Sequence, residues 1–349
     1  MGIQPYGTGI GAEIKAIISR KKTRRLKKKF LLDPKENWYK ANLHCHCTVS
    51  DGEWTAEEIK KRYQEQGYSV IAYTDHMDYR RHTDLDDENF LTIGAFEANI
   101  DAPEKEYPDW NTRPVYHLNF YDTCPEGRDC AAVPMPQQVY TIENVNQYIK
   151  ARKAEGFLCC YNHPWWSVQT YEDYISLENL DFFEIYNHGC ELDGLYGYAP
   201  QAYDEMLRTG HKALRCLATD DNHDRSPLGD PRNDSFGGFT MIQAPELRYD
   251  AIIKALENGN TYASMGPLIH GLYLEENRLV IECSPVESIY LITQGRNGQW
   301  FRVNPGENLT RAEFPLTGNE GYVRVQIRDC RGLYANTNAY EVKELLSQE

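Results

Sequence analysis

Short apolar and β-branched runs alternate with amphipathic stretches from residue 40 to about residue 268. The runs predict strands at residues 41–45, 69–74, 90–97, 115–120, 157–161, 181–186, 213–219 and 236–243. The amphipathic stretches predict helices; the first has Thr55 as N-cap and Glu58 completing a capping box, and the others end before Gly156, Gly210 and Gly259. This alternation is typical of βα units and predicts an α/β fold with a mostly parallel sheet. Seven or so units favour a closed barrel over an open sheet.

The pattern changes at about residue 269. Short β-rich segments at 278–283, 288–293, 300–303 and 322–327 are separated by turn residues, and no helical period returns until the last few residues. The sequence therefore predicts a barrel over residues 38–268, followed by a small β-sandwich domain over residues 269–349.

Residues 1–37 form a third segment, in which isoleucines at helical spacing precede a run of lysine and arginine. Residues 1–40 hold eleven Lys/Arg and three Asp/Glu, a balance of +8, so with a net charge of −15 the remainder carries −15 − 8 = −23. We expect a basic arm that is solvated, lies on the acidic body, or contacts an anionic surface or another subunit. The acidic body disfavours nonspecific binding of nucleic acid, although the arm leaves that partner open.

Location and redox state are predicted from what the chain lacks. No apolar run approaches the roughly 20 residues of a membrane span, and the start has no signal-peptide order. The ten cysteines show no Cys-x-x-Cys pair and no framework spacing. We therefore expect a cytoplasmic protein with reduced thiols.

Metal-ligating side chains recur where the predicted strands end, and in a barrel that rim is where active sites are built. The set comprises six histidines and three acids, namely His44, His46, Asp51, His76, Glu97, His117, His163, Asp221 and His223. Imidazole and carboxylate together suit zinc, manganese or iron, and nine ligands exceed what one tetrahedral ion needs. The sequence predicts two or three divalent ions, with metal-bound hydroxide as the nucleophile.

Several neighbours of these ligands have less certain roles. Cys45 and Cys47 alternate with the two histidines, so they face the other side of a strand and are expected to pack. The spacing Asp-x-His selects Asp221 as the ligand over Asp220, which is expected to support it. Arg225 is a candidate phosphate binder. Trp165 and Trp166 are candidates for the pocket wall; all three of these side chains are more often structural.

The strings LHCHCTVSDG, AYTDH, GAFEAN, VYHLNF, YNHP and ATDDNHD resemble, in order, the motifs of the PHP (polymerase and histidinol phosphatase) superfamily over residues 40–225. The resemblance implies a distorted seven-stranded βα barrel with up to three ions. It assigns one ion to His44, His46, Glu97 and Asp221, a second to Glu97, His117 and His163, and a third to Asp51, His76 and His223. The β-rich end is similar to the carbaryl-hydrolase-like branch.

These features predict a metal-dependent phosphoesterase that hydrolyses a small phosphate mono- or diester. The same ligands also suit hydrolysis of a carboxyl ester, carbamate or amide, and the sequence does not show the pocket that separates the two. A non-catalytic metal-binding interaction module is a third interpretation, which the intact ligand set disfavours. Processing of nucleic acid stays open but is not favoured.

Overall fold

The computed structural model describes residues 28–211 and 213–347, and these form a mixed α/β structure. The helices are α1 (Ala56–Glu65), α2 (Ile142–Ala154), α3 (Tyr171–Tyr174), α4 (His188–Leu192), α5 (Pro200–Thr209), α6 (Tyr249–Asn258) and α7 (Val342–Leu346). The strands are β1 (Lys28–Leu32), β2 (Trp38–Asn42), β3 (Tyr68–Ala72), β4 (Leu91–Ile93), β5 (Ala95–Asp101), β6 (Val115–Asp122), β7 (Phe157–Tyr161), β8 (Phe182–Asn187), β9 (Arg215–Thr219), β10 (Phe239–Gln243), β11 (Thr261–Ser264), β12 (Ile269–Glu275), β13 (Arg278–Val286), β14 (Ser288–Thr293), β15 (Gln299–Arg302), β16 (Leu309–Pro315), β17 (Tyr322–Arg328), β18 (Tyr334–Thr337) and β19 (Tyr340–Glu341).

The helix ends follow the sequence signals. Thr55 caps α1 through its hydroxyl, and Glu58 returns its carboxylate to the Thr55 amide, so the predicted capping box is confirmed. The helix α6 ends at Gly259, whose φ of 70° is left-handed and favours glycine.

The strands that carry the predicted ligands belong to two sheets. One is ordered β5-β6-β7-β8-β9, and the other contains β10-β2-β3-β4 within a ten-stranded sheet. The α/β class is confirmed, but within the described residues the hydrogen-bonded strand order does not close into a barrel. The pairs β2–β3, β3–β4, β7–β8 and β8–β9 are parallel, whereas β5–β6 and β6–β7 are antiparallel.

The prediction of a single strand at residues 90–97 is wrong in one respect, because the structure has two strands there, β4 and β5, which belong to different sheets. Gly94 separates β4 from β5, and a Cβ there would meet the Tyr79 hydroxyl at 2.7 Å. The chain then reaches β6 through a connection that contains only a 3₁₀ turn, Trp110–Thr112. Parallel pairing needs a longer crossover, so β5 and β6 pair as antiparallel neighbours.

The β-rich C-terminal residues continue the ten-stranded sheet through the pairing of β11 with β18 and form most of a separate four-stranded sheet, β1-β12-β13-β16. Part of the predicted basic arm belongs to this second sheet, because β1 pairs with β12 and buries Leu32 completely. The rest of the arm, residues 1–27, lies outside the described residues. The division into an arm, a barrel and a β-sandwich stays a prediction.

Cys45 and Cys47 are buried in an apolar cluster with Ile59, Tyr63 and Tyr73, as the packing interpretation predicts. All ten cysteines are free. Among the described residues, no helix combines the length and the apolar character needed to cross a lipid bilayer.

Candidate metal centre

Backbone contacts between the two sheets bring the predicted ligands together. The segment after β2 lies beside the segment after β9, where the His46 amide donates to the Asn222 carbonyl at 3.1 Å and the Asp221 amide donates to the His44 carbonyl at 2.9 Å. On the other side, His76 forms a parallel bridge with Glu97. These contacts bring the segments that follow β2, β3 and β9 together with Glu97 of β5.

Two ligands are not at strand ends, contrary to the prediction. Glu97 is the third residue of β5 and His117 is the third residue of β6. The reason is the antiparallel pairing of these strands, which offsets Glu97 from His117 by two residues in the register. Glu97 and His117 therefore lie close together inside this antiparallel pair and reach the site from within their strands.

Glu97 is the central acid of the cluster and is completely buried. Its two carboxylate oxygens face nitrogens of five histidines, at 3.3 Å from His44, 3.6 Å from His46, 2.9 Å from His76, 3.0 Å from His117 and 3.5 Å from His163. A carboxylate with this many imidazole neighbours would hold a divalent ion together with them.

Asp221 and Asp51 occupy either side of this acid. One Asp221 oxygen lies 3.0 Å from the Nε2 atoms of both His44 and His46, and the other lies 3.7 Å from His163. Asp51 faces His223 at 3.3 Å, with His76 at 3.6 Å and His46 at 3.9 Å. The side chain of Asp51 is 43% exposed, so the centre opens to solvent on this side.

The ligand atoms fall into three overlapping groups, each with all atoms within 4.8 Å of one another. The groups are His46 with Asp51, His76 and His223; His44 with His46 and Asp221; and His44 with Glu97 and His163. They overlap the three sets that the resemblance implies, but His44 and His46 are each shared by two groups. His117 joins through Glu97 alone.

The donor set fits divalent ions, because several buried atoms have charged or imidazole neighbours within 4 Å but make no well-aligned hydrogen bond among the described residues. They are His44 Nε2, His46 Nδ1, His117 Nδ1 and Glu97 Oε2. A buried polar atom without a partner costs about 1–3 kcal/mol, and four of them at one point are costly unless something else binds them. Divalent cations satisfy imidazole nitrogens and carboxylate oxygens together.

The protonation of the site follows from burial and from these close charges. Burial opposes ionisation of Glu97, but the neighbouring imidazoles of His117, His44 and His76 outweigh it and hold its pKa well below the usual range. Burial lowers the pKa of His46 to about 3, helped by the charges of His76 and His223. His46 is therefore neutral at neutral pH, which is the form that binds a metal.

Glu184 is a functional side chain that the sequence interpretation missed. This buried residue of β8 accepts from His44 Nδ1 at 2.7 Å, from the His163 amide at 3.1 Å and from the Thr219 hydroxyl at 2.6 Å. A partner on the far nitrogen fixes the ring so that His44 Nε2 points into the cluster. A lone acid within the apolar run FFEIYN of β8 is the signal that would have found it.

Two asparagines complete this support. Asn162 donates to Glu97 at 2.9 Å, and Asn187 donates to both Asp221 and Glu184, at 2.9 Å and 3.0 Å. Both residues directly follow or end a strand, but asparagine is so common there that the sequence alone gave no reason to select them.

Asp220 supports backbone in the structure and does not enter the cluster. Its carboxylate accepts from the amides of Phe236 and Gly238 and from the Tyr63 hydroxyl. Burial raises the pKa of Asp220 to about 7. Asp221 is the member of the pair that faces the histidines, and its backbone φ of 52° lies in the left-handed region.

Arg225 lies at the open side, where its guanidinium donates to Asp51 at 2.7 Å. It is exposed, so it is free to turn towards an anionic ligand, but in this structure it pairs with the acid. Its assignment as a phosphate binder stays a prediction.

A further group of metal-ligand type, Cys47 with Asp75 and His82, lies on the opposite face of the same segments. Asp75 there accepts from the Cys47 amide and thiol and from the Ser50 amide and hydroxyl, at 2.7–3.1 Å. With both oxygens satisfied, Asp75 is a structural acid that fixes the loop carrying Asp51.

Comparisons with known proteins give limited information. No family model matches the chain, and no curated protein matches it. Among solved structures, the chain is similar to a two-domain protein from Bacteroides vulgatus described as containing a predicted PHP-like metal-dependent phosphoesterase, at 17% identity and a TM-score of 0.45, over 90% of this chain and 99% of that one. It is also similar to a candidate metal-dependent phosphoesterase from Bifidobacterium adolescentis, at 13% identity and a TM-score of 0.35, over 56% of this chain and 92% of that one. At these TM-scores the likeness supports no conclusion about function, which is argued from the site.

Proposed function

We propose that the protein is a metal-dependent phosphoesterase of PHP type that hydrolyses a small phosphate mono- or diester. The observation that carries the proposal is the buried carboxylate of Glu97 within 3.6 Å of five imidazoles, in a cluster where buried nitrogens and one carboxylate oxygen make no well-aligned hydrogen bond. The proposal includes two or three zinc, manganese or iron ions held by the nine predicted ligands, and a seven-stranded barrel of the PHP kind.

Divalent ions at such a site lower the pKa of a coordinated water towards neutrality and neutralise charge on a phosphoryl group. The residues of the chain place those ions and keep them apart. Glu97 faces histidines from all three groups, and Glu184 holds the His44 ring in the orientation that presents Nε2. Asp51 and Arg225 mark the side from which an anionic substrate enters.

The ligand geometry favours phosphorus over carbon as the reacting centre. A transferring phosphoryl group develops charge on several oxygens, so closely spaced cations stabilise it at more than one point, whereas a carbonyl offers a single oxygen. A purely binding role fits the site less well, because the cluster is open at Asp51 and a structural metal site is usually closed by protein ligands.

The proposed partner is a small phosphoester, with nucleic acid disfavoured by the acidic body. The test compares p-nitrophenyl phosphate and bis-p-nitrophenyl phosphate with p-nitrophenyl acetate and an aryl carbamate, at one pH and one metal loading. We expect faster release from the phosphoesters and inhibition by orthophosphate. Faster metal-dependent release from the carbon esters, without inhibition by phosphate, would instead show a carboxyl ester or carbamate hydrolase.

Two variants make this test specific to the centre. Glu97→Gln should lower the phosphoesterase rate by more than about tenfold, a loss above roughly 1.4 kcal/mol of barrier. Glu320→Gln is the matched control, because Glu320 is also a buried acid but accepts only from Thr317 and Gly318 in the β-rich end. Equal phosphoesterase rates in Glu97→Gln and Glu320→Gln would show that Glu97 is not needed for the reaction.

A further inference from the structure

Two pairs of large aromatic side chains are joined through the adjacent residues Trp165 and Trp166, and we call the four the aromatic rim: Trp110, Trp165, Trp166 and Tyr196. Trp165 and Tyr196 meet edge to face with ring centroids 4.9 Å apart, yet they are 57% and 67% exposed. Trp110 meets Trp166 in the same way at 5.9 Å and is 62% exposed. These rings come from three separate loops.

The rim is continuous with the ligands. The Trp166 ring lies 5.1 Å from the His117 ring and 5.2 Å from the His163 ring, measured between centroids. Trp165 follows His163 by two residues, and the Ser167 amide donates to the His163 carbonyl at 3.2 Å. The turn that carries both tryptophans is therefore fixed to a ligand, so Trp166 borders the metal centre directly and Trp165 is held next to it in the same turn.

The loop that carries Trp165 and the loop that carries Tyr196 each contain a residue in a disfavoured backbone conformation. Val168 has φ of 54° and Tyr196 has φ of 49°, although β-branched and bulky residues rarely enter the left-handed region. Hydrogen bonds hold the first loop, from the Val168 amide to the Trp165 carbonyl and from the Gln169 amide to the Pro164 carbonyl, each 3.0 Å. Strain of this kind persists where the surroundings enforce it and is concentrated at functional sites.

The second loop is also tied to the centre. A Cβ at Gly197 would meet the Asn187 carbonyl oxygen at 2.1 Å, so only glycine allows the chain beside Tyr196 to pack this closely. Asn187 in turn donates to the Asp221 carboxylate at 2.9 Å. The position of the Tyr196 ring is thus coupled to a predicted ligand, as is that of Trp165.

A grouped set of exposed aromatic rings marks a binding surface, whereas a single exposed ring does not. The rings of the rim already meet edge to face, and such pairs present faces and edges that a further planar ring can join by offset or edge-to-face stacking. The adjoining cluster attracts an anion. The occupant that fits both parts is one molecule with an anionic group and a planar ring next to it.

We propose that Trp165 and Tyr196 select substrates whose alcohol part carries a planar aromatic or heteroaromatic ring, which stacks on these side chains while the anionic group lies at the metal centre. The inference rests on the proposed function for the anionic group and adds the substrate class. Trp165 and Tyr196 are specificity residues in this account and do not take part in the bond change.

The test uses two pairs of compounds that differ only in planarity. Benzylphosphonate and cyclohexylmethylphosphonate measure binding to metal-loaded protein by calorimetry, without turnover. Benzyl phosphate and cyclohexylmethyl phosphate measure turnover by release of inorganic phosphate, with leaving groups that are both primary alcohols. The variants are Trp165→Ala, Tyr196→Ala, Trp165→Phe and Tyr196→Phe, and the control is Trp300→Ala, a tryptophan of β15 that is equally exposed at 67%.

We expect the wild-type protein to bind benzylphosphonate about fivefold more tightly than its cyclohexyl counterpart, the scale of a stacking contribution. The preference should disappear in Trp165→Ala and Tyr196→Ala and persist in the phenylalanine variants and in Trp300→Ala. Equal Kd values in the wild type, a preference that survives both alanine substitutions, or binding of neither phosphonate would overturn the inference.

The two proposals fail in different ways. A benzylphosphonate preference without hydrolysis of either phosphate ester would refute the phosphoesterase and leave the rim as the ring-binding surface. Hydrolysis of both esters with equal kcat/KM, together with equal phosphonate Kd values, would support the phosphoesterase and refute the rim.

Discussion

Glu184→Gln tests whether the acid behind His44 is part of the metal centre. The Glu184 carboxylate accepts from His44 Nδ1, the His163 amide, the Asn187 side chain and the Thr219 hydroxyl, so both oxygens are fully used. The glutamine amide replaces one acceptor oxygen by a donor, so at least one of these four donors loses its partner. The loss lowers the free energy of unfolding by about 1–3 kcal/mol. The substitution also removes the charge that orients the His44 ring. Loss of such a partner typically weakens metal affinity about 10- to 100-fold.

The assay is a titration of metal-free protein with zinc or manganese against a chromophoric chelator, with far-ultraviolet circular dichroism to confirm folding. We expect the Kd of the tightest ion to rise by about 10- to 100-fold in Glu184→Gln. Glu320→Gln should lose stability but keep wild-type affinity, because its hydrogen bonds lie in the 317–320 turn. A folded Glu184→Gln protein with metal affinity within about twofold of wild type would refute the role given to Glu184.

Three further predictions follow from the same contacts. Asp221→Asn should lower metal content and reduce phosphoester turnover by more than about tenfold. Asp220→Asn should keep the metal and lower the thermal midpoint, because the Asp220 carboxylate accepts from the backbone amides of residues 236 and 238. Elemental analysis and calorimetry distinguish the two variants, and the reverse pattern would exchange the two roles. Leu32→Ala should lower the free energy of unfolding by about 2–5 kcal/mol, since Leu32 is fully buried, and a denaturation curve equal to that of the wild type would contradict this. Deletion of residues 1–27, which hold no predicted ligand, should leave turnover near wild type, and loss of turnover would contradict that expectation. A chelator should lower the thermal midpoint of the wild type by more than that of Glu97→Ala, because ions that bind only the folded state stabilise it and the variant holds fewer of them. Equal shifts would place the bound metal elsewhere.

The candidate ligands could be selected from the sequence because their spacing is local. His44 and His46 are two residues apart in extended chain and share a face, and each other motif follows an apolar run. The capping box of α1 is equally local and is found as predicted.

The strand arrangement could not be predicted, because it depends on partners far away in the chain. The run at residues 90–97 has one uninterrupted apolar pattern, yet Gly94 lies against Tyr79 and divides the run between two sheets. The strand β1 was hidden within a basic run; its pairing with β12 and the stacking of the Lys28 ammonium over the Tyr273 ring exist only in the folded protein. Glu184 was missed for the same reason, since its partners come from three other segments.

The most direct test of the account is elemental analysis of the protein purified without chelator from medium supplemented with zinc or manganese. The account predicts two or three equivalents of divalent transition metal per chain in the wild type, and about one equivalent or fewer in Glu97→Gln. It also predicts wild-type content in Glu320→Gln. A reproducible wild-type content near zero, with no ion taken up on titration, would contradict the metal centre itself.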